Sequence, residues 1–102
     1  MTRLVVTADA ETDTFAVLDH LEAKAGAQVA ERYARRFRAA IERLIEMPQS
    51  GAPRPALGSD TRCLIVPPYL LIYDYALGDD IVVLLRVLHG RRRITRETRQ
   101  RG

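Results

Sequence analysis

The hydrophobic period of this chain changes once, at Pro48, and that change decides what it can fold into. Before Pro48, apolar residues return every three or four positions, as on one face of a helix; after residue 60 they come in short runs rich in Val, Ile, Leu and Tyr. A helical half followed by a strand half buries both apolar surfaces most simply by laying helices on a sheet. With 102 residues and 47% hydrophobic content, there is material for one core and too little for two. The reading is therefore a single domain over residues 1–102, with a basic tail from about residue 91 to 102.

The order of elements follows from local signals. Arg3 to Val6 is a short, partly β-branched run, and Thr7 offers a hydroxyl to cap a helix whose first turns carry Asp9, Glu11 and Asp13. Phe15, Leu18, Leu21 and Ala25 continue that helix on one stripe, and Gly26 stands where a helix stop is expected. A second helix follows at once, with Val29, Tyr33, Phe37, Ile41, Leu44 and Ile45 on its apolar face, and Pro48 ends it. So short a link predicts an antiparallel helical hairpin. Gly51, Pro53, Pro55 and Gly58 then mark an ordered loop from Pro48 to Ser59.

Thr61–Val66, Tyr69–Tyr75 and Ile81–Leu88 read as three strands of an antiparallel meander, separated by Pro67-Pro68 and by a turn at Gly78-Asp79-Asp80. The expected fold is α+β: an N-terminal strand, a two-helix hairpin and a three-stranded meander, with the helices packed on one antiparallel sheet. Ile81 to Leu85 is apolar at every position, which suits a strand covered on both faces. The helices supply one cover, and a partner chain is a candidate for the other.

Charge narrows the choice of partners. The chain has a net charge of +3, and Lys24 is the only lysine among 16 basic residues. Arginine offers a planar, permanently charged fork suited to carboxylates and phosphates, although a GC-rich coding sequence produces the same bias. A single cysteine, Cys63, cannot form an internal disulfide, and with only His20 and His89 beside it no zinc set is expected. No cofactor or metal is predicted. Neither a signal-peptide pattern nor a membrane-length apolar run is present, so a cytoplasmic protein without membrane contact is expected.

The densest chemical signal is Arg86-Val87-Leu88-His89-Gly90-Arg91-Arg92-Arg93, followed by Arg96, Arg99 and Arg101, against one acid, Glu97. Such a run suits phosphates or an acidic protein surface, or else is a solvated tail that frays without a partner. Arg86 interrupts an apolar strand, so its charge must find a partner or reach a cleft. His89 beside Gly90 at a strand end is either a hydrogen-bonded structural residue or an acid–base group. Tyr69, Tyr73 and Tyr75 alternate onto one strand face, where they serve as strand formers or as a stacking surface. His20 falls among solvated residues, and Cys63 reads as a small core residue. Phosphate loops, catalytic carboxylate pairs and nucleophile elbows are absent from the sequence.

Several of these segments, taken in order, resemble the ParE branch of the ParE/RelE toxin superfamily from Leu4 to about Arg93. The markers are Ala30, Tyr33 and Ile41 to Leu44, then Met47-Pro48 with Gly51 and Arg54, then Arg62, then Tyr69-Leu70-Leu71-Ile72-Tyr73. Leu85 through Arg92 is similar to the family's ending. The resemblance implies a toxin neutralised by a cognate, ParD-like antitoxin, with DNA gyrase as the target for some members. Arg86, Arg91, Arg92 and Arg93 are the expected target contact, and Leu18, Leu21 and Phe37 the expected antitoxin contact.

RelE-like relatives instead cut messenger RNA, for which Arg62, Arg86, His89 and Arg92 are the candidate residues here. Cleavage through the 2′-hydroxyl needs groups to move protons as well as cations for the phosphate. The middle strand carries Leu70 where the resemblance implies a basic residue, and no tyrosine follows Tyr75, so the reading favours a toxin that works by binding. Direct nucleic-acid contact and a non-toxic, antitoxin-binding module are the remaining alternatives.

Overall fold

The computed structural model describes residues 2–91, 94 and 95. Strand β1 (Arg3–Val6) leads into α1 (Ala8–Ala25), and α2 (Ala27–Glu46) follows directly. A two-residue strand, β2 (Ala52–Pro53), precedes β3 (Thr61–Val66), β4 (Tyr69–Ala76) and β5 (Ile81–His89). The five strands form one sheet in the order β1-β5-β4-β3-β2.

The helix boundaries fall where the sequence places them. The Thr7 hydroxyl accepts the Ala10 N–H at 3.0 Å and donates to the Leu85 carbonyl at 3.0 Å, so one side chain both caps α1 and ties it to β5. Gly26 takes φ 95°, a left-handed region open to glycine, and its N–H closes α1 on Glu22 at 2.9 Å. That single residue reverses the chain and starts α2 as the other arm of the hairpin.

The β3–β4–β5 meander is antiparallel, as the alternation predicts, whereas β1 pairs parallel to β5. The sheet is therefore mixed. Four exposed or half-buried residues in β1 carry no alternation strong enough to reveal a partner that arrives near the end of the chain.

Strand β5 contains a second feature hidden in the sequence. Its register against β4 steps from Arg86 opposite Ile72 to Leu84 opposite Tyr73, which leaves Leu85 as an extra, unpaired residue. Val82 and Leu84 face the helices before the bulge, and Val87 does so after it, while Leu85 and Leu88 join the other face. Packing on both faces, with Val82 and Leu84 under the helices and Leu85 on the other side, goes with a strand that reads as apolar up to Arg86.

The main core lies between helices and sheet, where Phe37 and Leu44 meet Leu71, Tyr73, Val82 and Leu84. Each such buried side chain contributes about 1.5–3 kcal/mol. The second sheet face is covered in part by the chain itself: Leu57 packs with Ile72 and Leu88, and Leu85 and Ile94 lean on them. This cover takes the place assigned to a partner chain on that part of the face. Ile65 remains 64% exposed.

Candidate functional site: the basic end of β5

Arg86 is 3% exposed, and the Asp13 carboxylate of α1 holds its guanidinium in a two-pronged pair. Nε reaches Oδ2 at 2.6 Å and Nη2 reaches Oδ1 at 2.9 Å. The same Oδ2 accepts the Val87 N–H at 3.0 Å. Since β1 ends opposite Leu84, Asp13 satisfies a backbone donor on the edge that β1 no longer covers. The bond from Asp13 raises the Arg86 pKa against the opposing effect of burial, so the charge is permanent.

His89 closes β5 as an exposed ring, edge-on to Tyr69 with centroids 5.6 Å apart. Its Nδ1 accepts the Arg91 N–H at 3.0 Å, and the Gly90 N–H donates to the Pro68 carbonyl at 2.7 Å. These bonds turn the chain and leave Arg91 exposed just past the strand. Arg92 and Arg93 lie outside the described residues, as does most of the expected tail; Ile94, on the far side of them, is packed on the second sheet face.

Arg62 stands elsewhere in the fold. Its Nη1 donates to the Gln49 carbonyl at 3.0 Å and to the Gly51 carbonyl at 2.8 Å. Tyr73 supports the same loop from below, accepting the Gly51 N–H and donating to the Pro48 carbonyl, both at 2.9 Å. A Cβ on Gly51 would stand 2.6 Å from the Tyr73 hydroxyl, so the approach requires glycine. Burial raises the Tyr73 phenol pKa, partly offset by the Gly51 N–H and Arg62. Of the groups considered for RNA cleavage, Arg62 and Arg86 are thus each bonded within the fold, on separate partners.

The helical residues divide by depth. Phe37 is 4% exposed and meets Tyr69 edge-on at 5.7 Å, whereas Leu18 and Leu21 are half-buried. Phe15, which the sequence places on the buried stripe, is 72% exposed. The packed face of α1 centres on Ala10, Val17 and Leu21, and at 100° per residue Phe15 stands roughly 120–160° round the helix from them, well off that face. There it borders an open groove of about 450 Å³ lined by Val6, Glu11, Thr14, Phe15, Leu18, Ile41 and Leu84. The sequence expectation did not include this groove, and its one signal was a large aromatic at the far edge of the helical stripe.

Among the described residues no cluster of three His, Cys, Asp or Glu side chains is placed to hold a metal, and no helix is long and apolar enough to cross a membrane.

The described fold is an α-hairpin on a mixed sheet whose last strand leads to an exposed arginine, Arg91. A family model described as "ParE toxin of type II toxin-antitoxin system, parDE" matches residues 4–94. The chain belongs to the ParE toxin family. Among solved structures, it resembles a chain of the "Chromosomal ParDE TA system from P. aeruginosa" with a TM-score of 0.73 and 22% identity, covering 87% of this chain and 96% of that one. Comparison with curated proteins finds no match.

Proposed function

We propose that this toxin inhibits growth by binding its target, with DNA gyrase as the target the family implies, and that a ParD-like antitoxin holds it inactive in the cytoplasm. The observation that carries the binding mechanism is the engagement of the basic groups. Arg62 is bonded to loop carbonyls, Arg86 to Asp13, and the His89 Nδ1 to a backbone N–H. Cleaving RNA would call on such groups for proton transfer and phosphate neutralisation at one point.

The target contact in this reading is Arg91, Arg92 and Arg93, with Arg86 fixing the strand end from which they leave. The antitoxin contact is the apolar groove beside Phe15 and Leu18, together with Leu21 further along α1, while Phe37 lies in the core that carries the helices. A groove of this kind with an exposed aromatic at its border suits a partner segment.

Purified toxin added to gyrase and supercoiled DNA tests the proposal. Inhibition of supercoiling or trapped double-strand breaks is expected, with relief on adding the antitoxin encoded beside the toxin. Site-specific messenger RNA cleavage after induction, with gyrase unaffected, would replace this mechanism with an endoribonuclease.

A further inference from the structure

A second open cavity, of about 460 Å³, lies where α1 passes the ends of β4 and β5. Val17, Leu21 and the buried Tyr69 give it an apolar floor, and the exposed side chains of His20, Lys24 and His89 border it. These are both histidines of the chain and its only lysine. They come together from distant parts of the sequence, since His20 and Lys24 share one face of α1 by their i,i+4 spacing and β5 brings His89 to them. Among the described residues no carboxylate lines the cavity.

The chemistry of this lining selects its occupant. An apolar floor takes an aliphatic or aromatic side chain, and a border of one lysine and two imidazole N–H donors takes a carboxylate beside it. Because the His89 Nδ1 accepts the Arg91 N–H, the neutral ring carries its proton on Nε2 and is a donor there. A nucleic-acid strand is the poorer fit, because Tyr69 is 6% exposed and offers no stacking platform.

We propose that this cavity seats an acidic, amphipathic segment of the antitoxin. Its occupation covers His89 and the adjacent Arg91, so neutralisation works by masking the basic end of β5 as well as by filling the apolar groove near Phe15. This inference rests on the reading of the chain as an antitoxin-neutralised toxin.

Two histidines give two imidazole signals in a nitrogen-edited NMR spectrum, and both report on this cavity. Titration of the full-length toxin with the antitoxin encoded beside it is expected to shift both. The double variant His20→Glu/Lys24→Glu, altered only at exposed positions, is expected to keep its melting temperature and its growth inhibition. Its affinity for the antitoxin should fall at least tenfold at low salt, with a smaller loss at high salt, and reversing the charge of an acidic antitoxin residue should restore it.

Equal affinity of wild type and double variant, or histidine signals unmoved in the complex, would overturn the inference while leaving the toxin–antitoxin reading intact. Failure of the wild-type toxin to bind the antitoxin at all would overturn both. A single-stranded oligonucleotide that moves both signals when the antitoxin moves neither would make this a nucleic-acid site instead.

Discussion

The Asp13 carboxylate holds Arg86 through two hydrogen bonds, at 2.6 and 2.9 Å, and takes the Val87 N–H with the oxygen that makes the shorter one. A charge on the first helix thereby fixes the end of the last strand, 73 residues away in sequence. The pair does not add much stability over an apolar equivalent, but removing one member leaves a buried charge uncompensated. Asp13→Ala is therefore expected to cost about 3–5 kcal/mol. Urea denaturation measures it, and a loss below about 1 kcal/mol, the scale of an exposed pair, would show that the carboxylate is not the main partner. In a double-mutant cycle, Asp13→Leu with Arg86→Met should cost less than the sum of the single changes.

Tyr73 organises the loop that follows α2, since its hydroxyl bridges the Gly51 N–H and the Pro48 carbonyl. Tyr73→Phe keeps the ring in the core and strands both loop groups, so about 1–3 kcal/mol should be lost. Hydrogen exchange at Gly51 should accelerate in the variant. Gly51→Ala is expected to be worse, because the new methyl would meet the Tyr73 hydroxyl at 2.6 Å and the Cys63 carbonyl at 2.8 Å.

Alkaline pH should destabilise the fold. Burial raises the pKa of the Cys63 thiol and of the Tyr69 and Tyr73 phenols above their ordinary values, so the folded state keeps protons that the unfolded state releases. For groups shifted upward, the stability is fully present below the unfolded pKa and is lost as pH rises past it. The decline should begin near pH 9.0, the ordinary thiol value, and steepen above 10.0, the ordinary phenol value. Melting temperatures across that range test this, and Cys63→Ala should remove the earliest part of the decline.

Much of the fold was legible because single residues carry strong local instructions. Thr7 caps, Gly26 reverses the chain, Pro48 ends the second helix, and the meander follows from alternation. What stayed hidden depends on distant partners. The parallel pairing of β1, the extra Leu85 and the cover that Leu57 and Ile94 give the second face leave no periodic trace. The site was legible in kind and less so in detail. Arg86 was recognised as a charge needing a partner, but nothing in the sequence selects Asp13 from the other acids of α1, or the loop carbonyls that take Arg62.

His89 should prove dispensable for toxicity. Its ring packs on Tyr69 and its Nδ1 is bonded to the turn, and a binding mechanism asks it for no proton transfer. His89→Ala is expected to inhibit growth nearly as well as wild type once matched for soluble protein. Abolished toxicity in a variant with an unchanged melting temperature would reinstate His89 as a functional acid or base.

Replacing Arg91, Arg92 and Arg93 together with Ala should abolish growth inhibition and leave the fold standing. Arg91 is exposed just beyond β5, while the strand end is held from inside by the Asp13–Arg86 pair and the chain is anchored again at Ile94. Surface substitutions such as that of Arg91 usually change stability by about 0.5 kcal/mol or less, and the triple variant's melting temperature is expected to move only slightly. Their cost should fall on the target instead, where charge-assisted contacts are worth about 1.5–3 kcal/mol each and the loss of two or three weakens binding by orders of magnitude. The antitoxin should still bind through the groove at Phe15 and Leu18 and through the border of His20 and Lys24, none of which the substitution touches. Growth inhibition, antitoxin affinity and melting temperature are therefore to be measured on the same triple variant. Retained toxicity would move the target contact elsewhere, and an antitoxin complex lost along with toxicity would assign the arginines to the antitoxin.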